Sequence, residues 1–361
     1  MSSRKLVMVF ALMVLASCGG SSGSKSGPDP FADLTPGWNR IVAGGEALCS
    51  DGTPFEFWFR PGDPKRLSIY FEGGGACWRP ELCARDRQPT YDPTVDSTDA
   101  PSRRHGILDF ANAQNPLAGY STLFIPYCTG DVHVGNTLRL YSVPADGKKP
   151  AEDVSIHHVG VINADSALSW LYQRVRDPAE VFVSGTSAGA IGSAFHAYRI
   201  ATHYPRARVV QLGDAAGGYR TPAIPGILQT WKNPLVTPPF PEYANPDQTN
   251  FETFYEAGPA HADNLRMAQF NVDDDAVQRF FLTLVGVKGV PFLKLLDENL
   301  ADIHAASPSF RSYIAHDTIH GILTRSSLYT TDVDGVRLVD WIRDLASGKD
   351  VANVTCKEAC R

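Results

Sequence analysis

The chain has 361 residues, 43% of them apolar and 20% charged, with a net charge of −6. This is an ordinary globular composition able to bury a real core, and its mild acidity argues against nucleic acid as a partner, which would call for a basic face. Its 31 glycines and 26 prolines point to many turns and long loops between short elements.

Residues 1–17 read as an export signal, not as fold. Arg4 and Lys5 precede an apolar stretch, Leu6 to Ala16, too short to span a membrane as a stable helix. Leu15-Ala16-Ser17-Cys18 has the form of a bacterial lipoprotein cleavage box. Cleavage before Cys18 would leave its thiol to carry lipid and anchor the protein to a membrane. With Gly19 next, the expected place is the outer membrane or cell surface. An ordinary secretory signal with an incidental cysteine is the alternative. Residues 18–30, rich in Gly and Ser, form a flexible tether that cannot pack. No repeat, second linker or charge block follows, so 31–361 reads as one domain.

Within it, Leu67 to Phe71, Thr122 to Pro126, Val181 to Ser184, Arg208 to Leu212, Leu265 to Val272 and Phe310 to Ala315 read as buried strands. Helical patterns cover Val161 to Arg174, Ala188 to His203, Ala276 to Val285 and Val336 to Ala346. The alternation predicts an α/β fold, a three-layer sandwich with a mostly parallel central sheet and helices on both faces. In such sheets sites gather at the carboxyl ends of strands. The Pro-, Gly- and aromatic-rich stretch 214–262 reads as an insertion above the sheet, either shaping a site or a passive excursion.

The chemistry falls at strand ends. Val181 to Ser184 runs into Gly185-Thr186-Ser187-Ala188-Gly189, and a helix with small residues follows. This is the context of a nucleophile elbow, with Ser187 as nucleophile; a structural glycine turn is the bland alternative. Leu67 to Phe71 ends in Glu72-Gly73-Gly74-Gly75-Ala76-Cys77. Such a run exposes backbone N–H groups, so Gly74, Gly75 and Ala188 are candidate oxyanion donors. No Lys-Ser/Thr pair follows, which argues against a phosphate loop. The base should come late. His320 is preferred over His316 because it lies deeper in its loop. An i,i+4 metal pair of the two is disfavoured by the strand-like run before them. The acid should come from Asp273-Asp274-Asp275, one of which could cap a helix while another turns inward, with Asp214 and Asp302 as weaker candidates. His196 and His203 read as structural. If Cys18 takes lipid, six cysteines remain: neighbours Cys77 and Cys83, neighbours Cys356 and Cys360, and then Cys49 with Cys128. A zinc site is the competing reading, but there is no CxxC pair.

These segments together resemble the pectin acetylesterase family, which also contains the animal Notum carboxylesterases. Four stretches carry the resemblance: Cys49-Ser50-Asp51-Gly52-Thr53, Phe71-Glu72-Gly73-Gly74, Pro126-Tyr127-Cys128 and Gly185-Thr186-Ser187-Ala188-Gly189. More loosely, Asp275-Ala276-Val277-Gln278 is similar to the family's acid followed three residues later by Gln. His320, Ile322-Leu323 and Trp341 match its histidine loop and closing helix. The resemblance implies an α/β-hydrolase-like fold and a carboxylic ester hydrolase with Ser187, His320 and Asp275 as triad. It also implies a Cys49–Cys128 disulfide, a short-chain ester such as an acetylated polysaccharide as substrate, and neither metal nor organic cofactor. A long-chain deacylase using 214–262 as a lid, and a non-catalytic binding protein, are the alternatives. Two departures bear on the substrate pocket: Ala76 stands where many relatives have an aromatic, and Gly213 to Gly217 departs from the family's Asp-Ser-Gly.

Overall fold

The computed structural model describes residues 29–87, 89–232 and 240–356. Residues 1–28, where the export signal, Cys18 and most of the tether are expected, and Cys360 lie outside the described residues.

Strands β1 (Asn39–Val42), β2 (Glu56–Arg60) and β3 (Asp63–Phe71) come first, then the one-turn helix α1 (Pro80–Cys83) and β4 (Tyr120–Ile125). A hairpin, β5 (Thr137–Val143) and β6 (Glu152–His158), leads into α2 (Gly160–Arg174), β7 (Glu180–Thr186), α3 (Ala188–His203) and β8 (Arg208–Asp214). Helices α4 (Ile224–Thr230) and α5 (Phe251–Ala260) precede β9 (Leu265–Val272), α6 (Ala276–Leu284), α7 (Phe292–Ala306) and β10 (Arg311–Ala315). The tiny hairpin β11 (Asp332–Val333) and β12 (Val336–Arg337), then α8 (Leu338–Ala346) and β13 (Val354–Thr355), close the described chain.

Nine strands form one sheet in the order β1-β2-β4-β3-β7-β8-β9-β10-β13. From β4 to β13 all neighbours are parallel. The edge strands β1 and β2 run antiparallel, so the mostly parallel sheet has an antiparallel margin that the apolar runs did not announce. Parallel neighbours need crossovers, and the crossovers supply the covering layers. Phe71 stacks on His196 of α3, with ring centroids 5.2 Å apart, so that face carries α3. Tyr313 meets Trp341 of α8 on the opposite face. The two faces explain why β4 is buried along its whole length: a strand covered on both sides has no solvent side to alternate with.

Two expectations change. The last helix begins at Leu338, not Val336, because Val336 and Arg337 pair with Asp332 and Val333 around the Asp334-Gly335 turn. The stretch 214–262 is not a simple excursion. Its α5 is a crossover between β8 and β9, buried through Phe251 to Tyr255 and capped by Asn250, whose side chain accepts from the Thr253 N–H at 3.0 Å.

Chain connection reverses between β3 and β7: β3 leads outward to β4, while β7 leads to β8 on the other side. Loops leaving the ends of β3 and β7 therefore diverge and open a crevice. Ser187 and the run Gly73 to Gly75 lie there.

Candidate active site

Ser187 follows β7 directly and has φ +58° and ψ −122°, a left-handed conformation that a side chain rarely adopts. Its N–H donates to the Asp214 carbonyl at 2.7 Å. The glycines on either side are needed for space. A Cβ on Gly185 would lie 2.2 Å from the Gly189 oxygen, and one on Gly189 would lie 2.0 Å from the Phe71 oxygen. The turn thus holds the serine at the N-terminus of α3, where negative charge is favoured.

The loop after β3 touches this turn. A Cβ on Gly73 would sit 2.3 Å from the Thr186 oxygen and 3.0 Å from the Ser187 Cβ. Gly75 has φ +81° and passes so close to Thr90 that a Cβ would meet its carbonyl at 1.9 Å. The N–H groups of Gly74, Gly75 and Ala188 donate to no partner among the described residues. Gly75 and Ala188 line the same cavity as Ser187, so their unclaimed N–H groups are available to a developing oxyanion. The loop is fixed from outside by Cys77–Cys83 and by the Cys77 N–H on the Gly130 carbonyl at 2.8 Å. Cys49–Cys128 ties the next loop to the first. Cys356 is disulfide-bonded as well.

The histidine loop follows β10. His320 Nδ1 donates between both oxygens of Asp275, at 3.0 and 2.9 Å. Asp275 is fully buried, and it also caps α6, accepting from the N–H groups of Val277 and Gln278 at 2.9 Å each. Helix capping and histidine binding, expected from different aspartates, thus fall to one. Gln278 completes the support. Its Nε2 donates to Asp275 Oδ2 at 3.0 Å and its Oε1 accepts from the Gly218 N–H at 2.9 Å. The other two acids go elsewhere. Asp273 holds His316, and Asp274 pairs with Arg279. His320 Nε2 is buried and has no partner among the described residues. The Ser187 hydroxyl likewise makes no hydrogen bond there, so the serine–histidine contact is open in this structure.

Asp214 plays a different part from the acid considered for it. Its Oδ2 accepts from Thr186 Oγ1 at 2.7 Å and from the N–H groups of Ile322 and Leu323 at 2.8 and 2.9 Å. Tyr70 donates to the same Thr186 hydroxyl at 3.0 Å. One buried carboxylate therefore ties the nucleophile turn to the histidine loop. Burial pushes its pKa up, against those three hydrogen bonds. The only legible signal was an aspartate at a strand end beside glycine. A second buried acid, Glu72, is ion-paired with Arg104; burial nonetheless pushes its pKa up to about 8. Asp302 pairs with Arg220 on the surface. His196 is buried against the His133 carbonyl at 3.0 Å, and His203 stacks on Tyr172, consistent with structural roles.

Two spaces flank the site. Ser187, Ala188, Ala76, Trp78, Ile191 and Trp231 line a narrow apolar cavity of about 40 Å³, and Tyr219, Ile224 and Ile227 of the 214–262 stretch close it. That stretch therefore shapes the site. Ala76 is part of the wall, whereas Gly213 to Gly217 lies beneath the histidine loop. On the other side of His320 lies a broad cleft of about 480 Å³. Cys77, Cys83 and His158 are also close enough to suggest a metal cluster. The two sulfurs are joined, and both His158 nitrogens are engaged, by the Thr129 carbonyl and the Tyr141 hydroxyl at 2.9 Å each.

Fold and site define the class: an α/β-hydrolase-like sheet bearing a strained serine between strand and helix. The pectinacetylesterase family pattern matches residues 40–222, just over half of the chain, and the chain belongs to that family. Over 157 residues it is 29% identical to palmitoleoyl-protein carboxylesterase notum2 of Xenopus laevis, covering 42% of this chain and 30% of that protein. It is also 29% identical over 102 residues to the inactive palmitoleoyl-protein carboxylesterase notum1b of Danio rerio, covering 27% and 73%. The chain thus spans under a third of the first relative's length. The solved structure of the Wnt deacylase Notum from Drosophila superposes with a TM-score of 0.61 over 89% of this chain and 99% of that one, at 18% identity. That likeness establishes the fold.

Proposed function

We propose that this protein is an exported, lipid-anchored serine carboxylesterase that removes short acyl groups, acetyl foremost, from a pectin-like polysaccharide or another short-chain ester. Ser187 Oγ attacks the ester carbonyl while His320 Nε2 takes its proton, and Asp275 holds the imidazole in the tautomer that leaves Nε2 free. The carbonyl oxygen, now negative, is met by the N–H groups of Ala188, Gly74 and Gly75. Collapse expels the alcohol, which receives the proton back from His320. Water, activated in the same way, releases the acid. No cofactor is required for these steps.

The observation that carries this reading is the state of His320: Nδ1 is claimed by both Asp275 oxygens, while the buried Nε2 is unclaimed among the described residues. A buried polar atom left without a partner costs free energy on the order of 1–3 kcal/mol, so its persistence favours a use for it. The acyl preference rests on the small cavity at Ser187. Its narrow interior of about 40 Å³ beside Ser187 suits a short acyl group such as acetyl. Residues 1–18 support export and anchoring, and Cys18→Ser should move the protein from the membrane to the soluble fraction.

Ser187→Ala should lower kcat on 4-nitrophenyl acetate by about 10⁴-fold or more. Hydrolysis at the wild-type rate would overturn the mechanism. Wild-type protein that a fluorophosphonate probe cannot label at Ser187 would mark a non-catalytic binding protein instead, a state that one relative's name records. Activity that rises with acyl length beyond butyrate would replace the short-chain assignment by long-chain deacylation.

A further inference from the structure

The histidine loop is held from two directions. Asp214 takes the N–H groups of Ile322 and Leu323 and ties them to the nucleophile turn through Thr186. The carbonyl of the same Leu323 is held from another side by the Ile107 N–H at 2.8 Å, and that of Thr324 by the His105 N–H at 3.3 Å. Gly106, between these donors, has φ +58° and lies so close to the Leu323 carbonyl that no side chain would fit. Its own carbonyl accepts from the Tyr329 hydroxyl at 2.7 Å. The segment 104–107 is therefore docked on the residues just after His320. Its first residue, the half-buried Arg104, reaches back to Glu72. Glu72 is the buried residue immediately before the glycine run. Its N–H donates to the Ile125 carbonyl at 2.9 Å, and its carbonyl accepts from His133 Nε2 at 2.8 Å. These contacts and the ion pair fix the point from which Gly73 to Gly75 depart. Asp99 lies in the field of both charges, but the ion pair of Arg104 is with Glu72.

We propose that Glu72 and Arg104 are positioning residues: their ion pair sets the oxyanion run against the histidine loop, so that the N–H donors and His320 Nε2 address the same ester. The inference rests on the hydrolase reading. Three working parts then form a closed triangle. The glycine run packs directly on the nucleophile turn, where Gly73 meets Thr186. Asp214 joins that turn to the histidine loop, and Arg104 with Glu72 joins the histidine loop back to the run. Without this third side, donors and base would be registered only through the turn. Oxyanion donors act when held at hydrogen-bond distance from the place where charge develops, so small errors in their aim are costly. Burying charge carries a desolvation cost, and an apolar pair could give the same stability. What a charge-assisted hydrogen bond adds is a fixed length and direction.

The test is a double-mutant cycle in the full-length protein: Glu72→Gln, Arg104→Gln and both together. Arg104→Lys is the conservative variant, and Arg103→Gln, one residue away, controls for lost positive charge. Rates on 4-nitrophenyl acetate are expressed per serine titrated with a fluorophosphonate probe, which removes any misfolded fraction. Each single variant should lower kcat about tenfold with KM within about twofold, and the double should be no worse than the larger single loss. Arg104→Lys should recover about threefold of that loss, and Arg103→Gln should stay within about twofold of wild type. Hydrogen exchange gives a readout that needs no turnover. Arg104→Gln should speed exchange about threefold or more in both residues 73–77 and residues 320–324, and leave α3 unchanged. Losses that multiply in the double variant, an equal loss in Arg103→Gln, a change in KM alone, or faster exchange in only one of the two segments overturns the proposal. Should the wild type hydrolyse no ester while Arg104→Gln still loosens both segments, the hydrolase reading falls and the link between them stands.

Discussion

Two histidine–aspartate pairs lie on one loop, four residues apart, and they are built from the same parts. His316 Nδ1 meets Asp273 at 2.7 Å, and His320 Nδ1 meets Asp275 at 2.9 Å. Both aspartates are buried in the turn after β9, and both histidines follow β10, its parallel neighbour. The difference lies around the pairs. The His316 side chain is 64% exposed and that of His320 is 16% exposed. Asp275 is backed by a helix N-terminus and Gln278, and Asp214 pins Ile322 and Leu323 just beyond His320. Thr186 packs against the same loop: a Cβ on Gly321 would lie 2.3 Å from its Cγ2. A histidine–aspartate hydrogen bond is therefore not a site by itself. Burial, a second layer of support and an Nε2 unclaimed among the described residues, beside the strand-to-helix turn, separate the proposed catalytic pair from the surface pair.

The comparison breaks most sharply with the aspartates. Asp275→Asn should lower kcat by about 10³- to 10⁴-fold, because the amide favours the wrong imidazole tautomer, while Asp273→Asn should leave kcat within about twofold. Steady-state assays on 4-nitrophenyl acetate read both, and equal losses would erase the distinction. A smaller effect is expected from the support layer. Asp214→Ala removes the oxygen on which three donors converge and leaves the N–H groups of Ile322 and Leu323 unpaired, so the histidine loop shifts. A displacement of about 1 Å costs up to about 100-fold. The loss should appear in kcat with KM little changed, and with a lower Tm, since a buried donor left unpaired costs about 1–3 kcal/mol. A fall in KM-dependent rates alone would place Asp214 in substrate binding instead.

How much of this was legible follows the same division. The nucleophile turn, the glycine run and the strands that carry them read directly from the chain, because each depends on local pattern: apolar runs, then glycines where backbones crowd. Helix α3, Ala188–His203, and strand β9, Leu265–Val272, have the expected bounds. The antiparallel margin β1–β2 escaped because Glu56 to Arg60 is short and has no helix after it to signal a crossover. The acid was harder. Three adjacent aspartates share one composition, and what separates them is which of them tops α6 and faces β10, a tertiary fact. At its strand end Asp214 has the position of an acid for the histidine, whereas it binds the backbone of the histidine loop. No spacing rule reports that, since its partners Ile322 and Leu323 lie more than a hundred residues later.

The surface pair should show itself in stability, not catalysis, and its effect is the smallest. The hydrogen bond to Asp273, with the charge of that aspartate, raises the His316 pKa above its usual value near 6.5. A raised value in the folded state means that folding favours the protonated ring. The resulting stability is fully present below about pH 6.5, where the unfolded ring is also charged, and is lost as pH rises through the folded-state value. The ring is open to water and salt, so the gain is small, about a degree or two in Tm. Melting followed from pH 6 to pH 8.5 should show wild type losing that much more than His316→Gln, with the gap closing in high salt. A variant that instead loses activity across the same range would make the two pairs functional partners and remove the contrast between them.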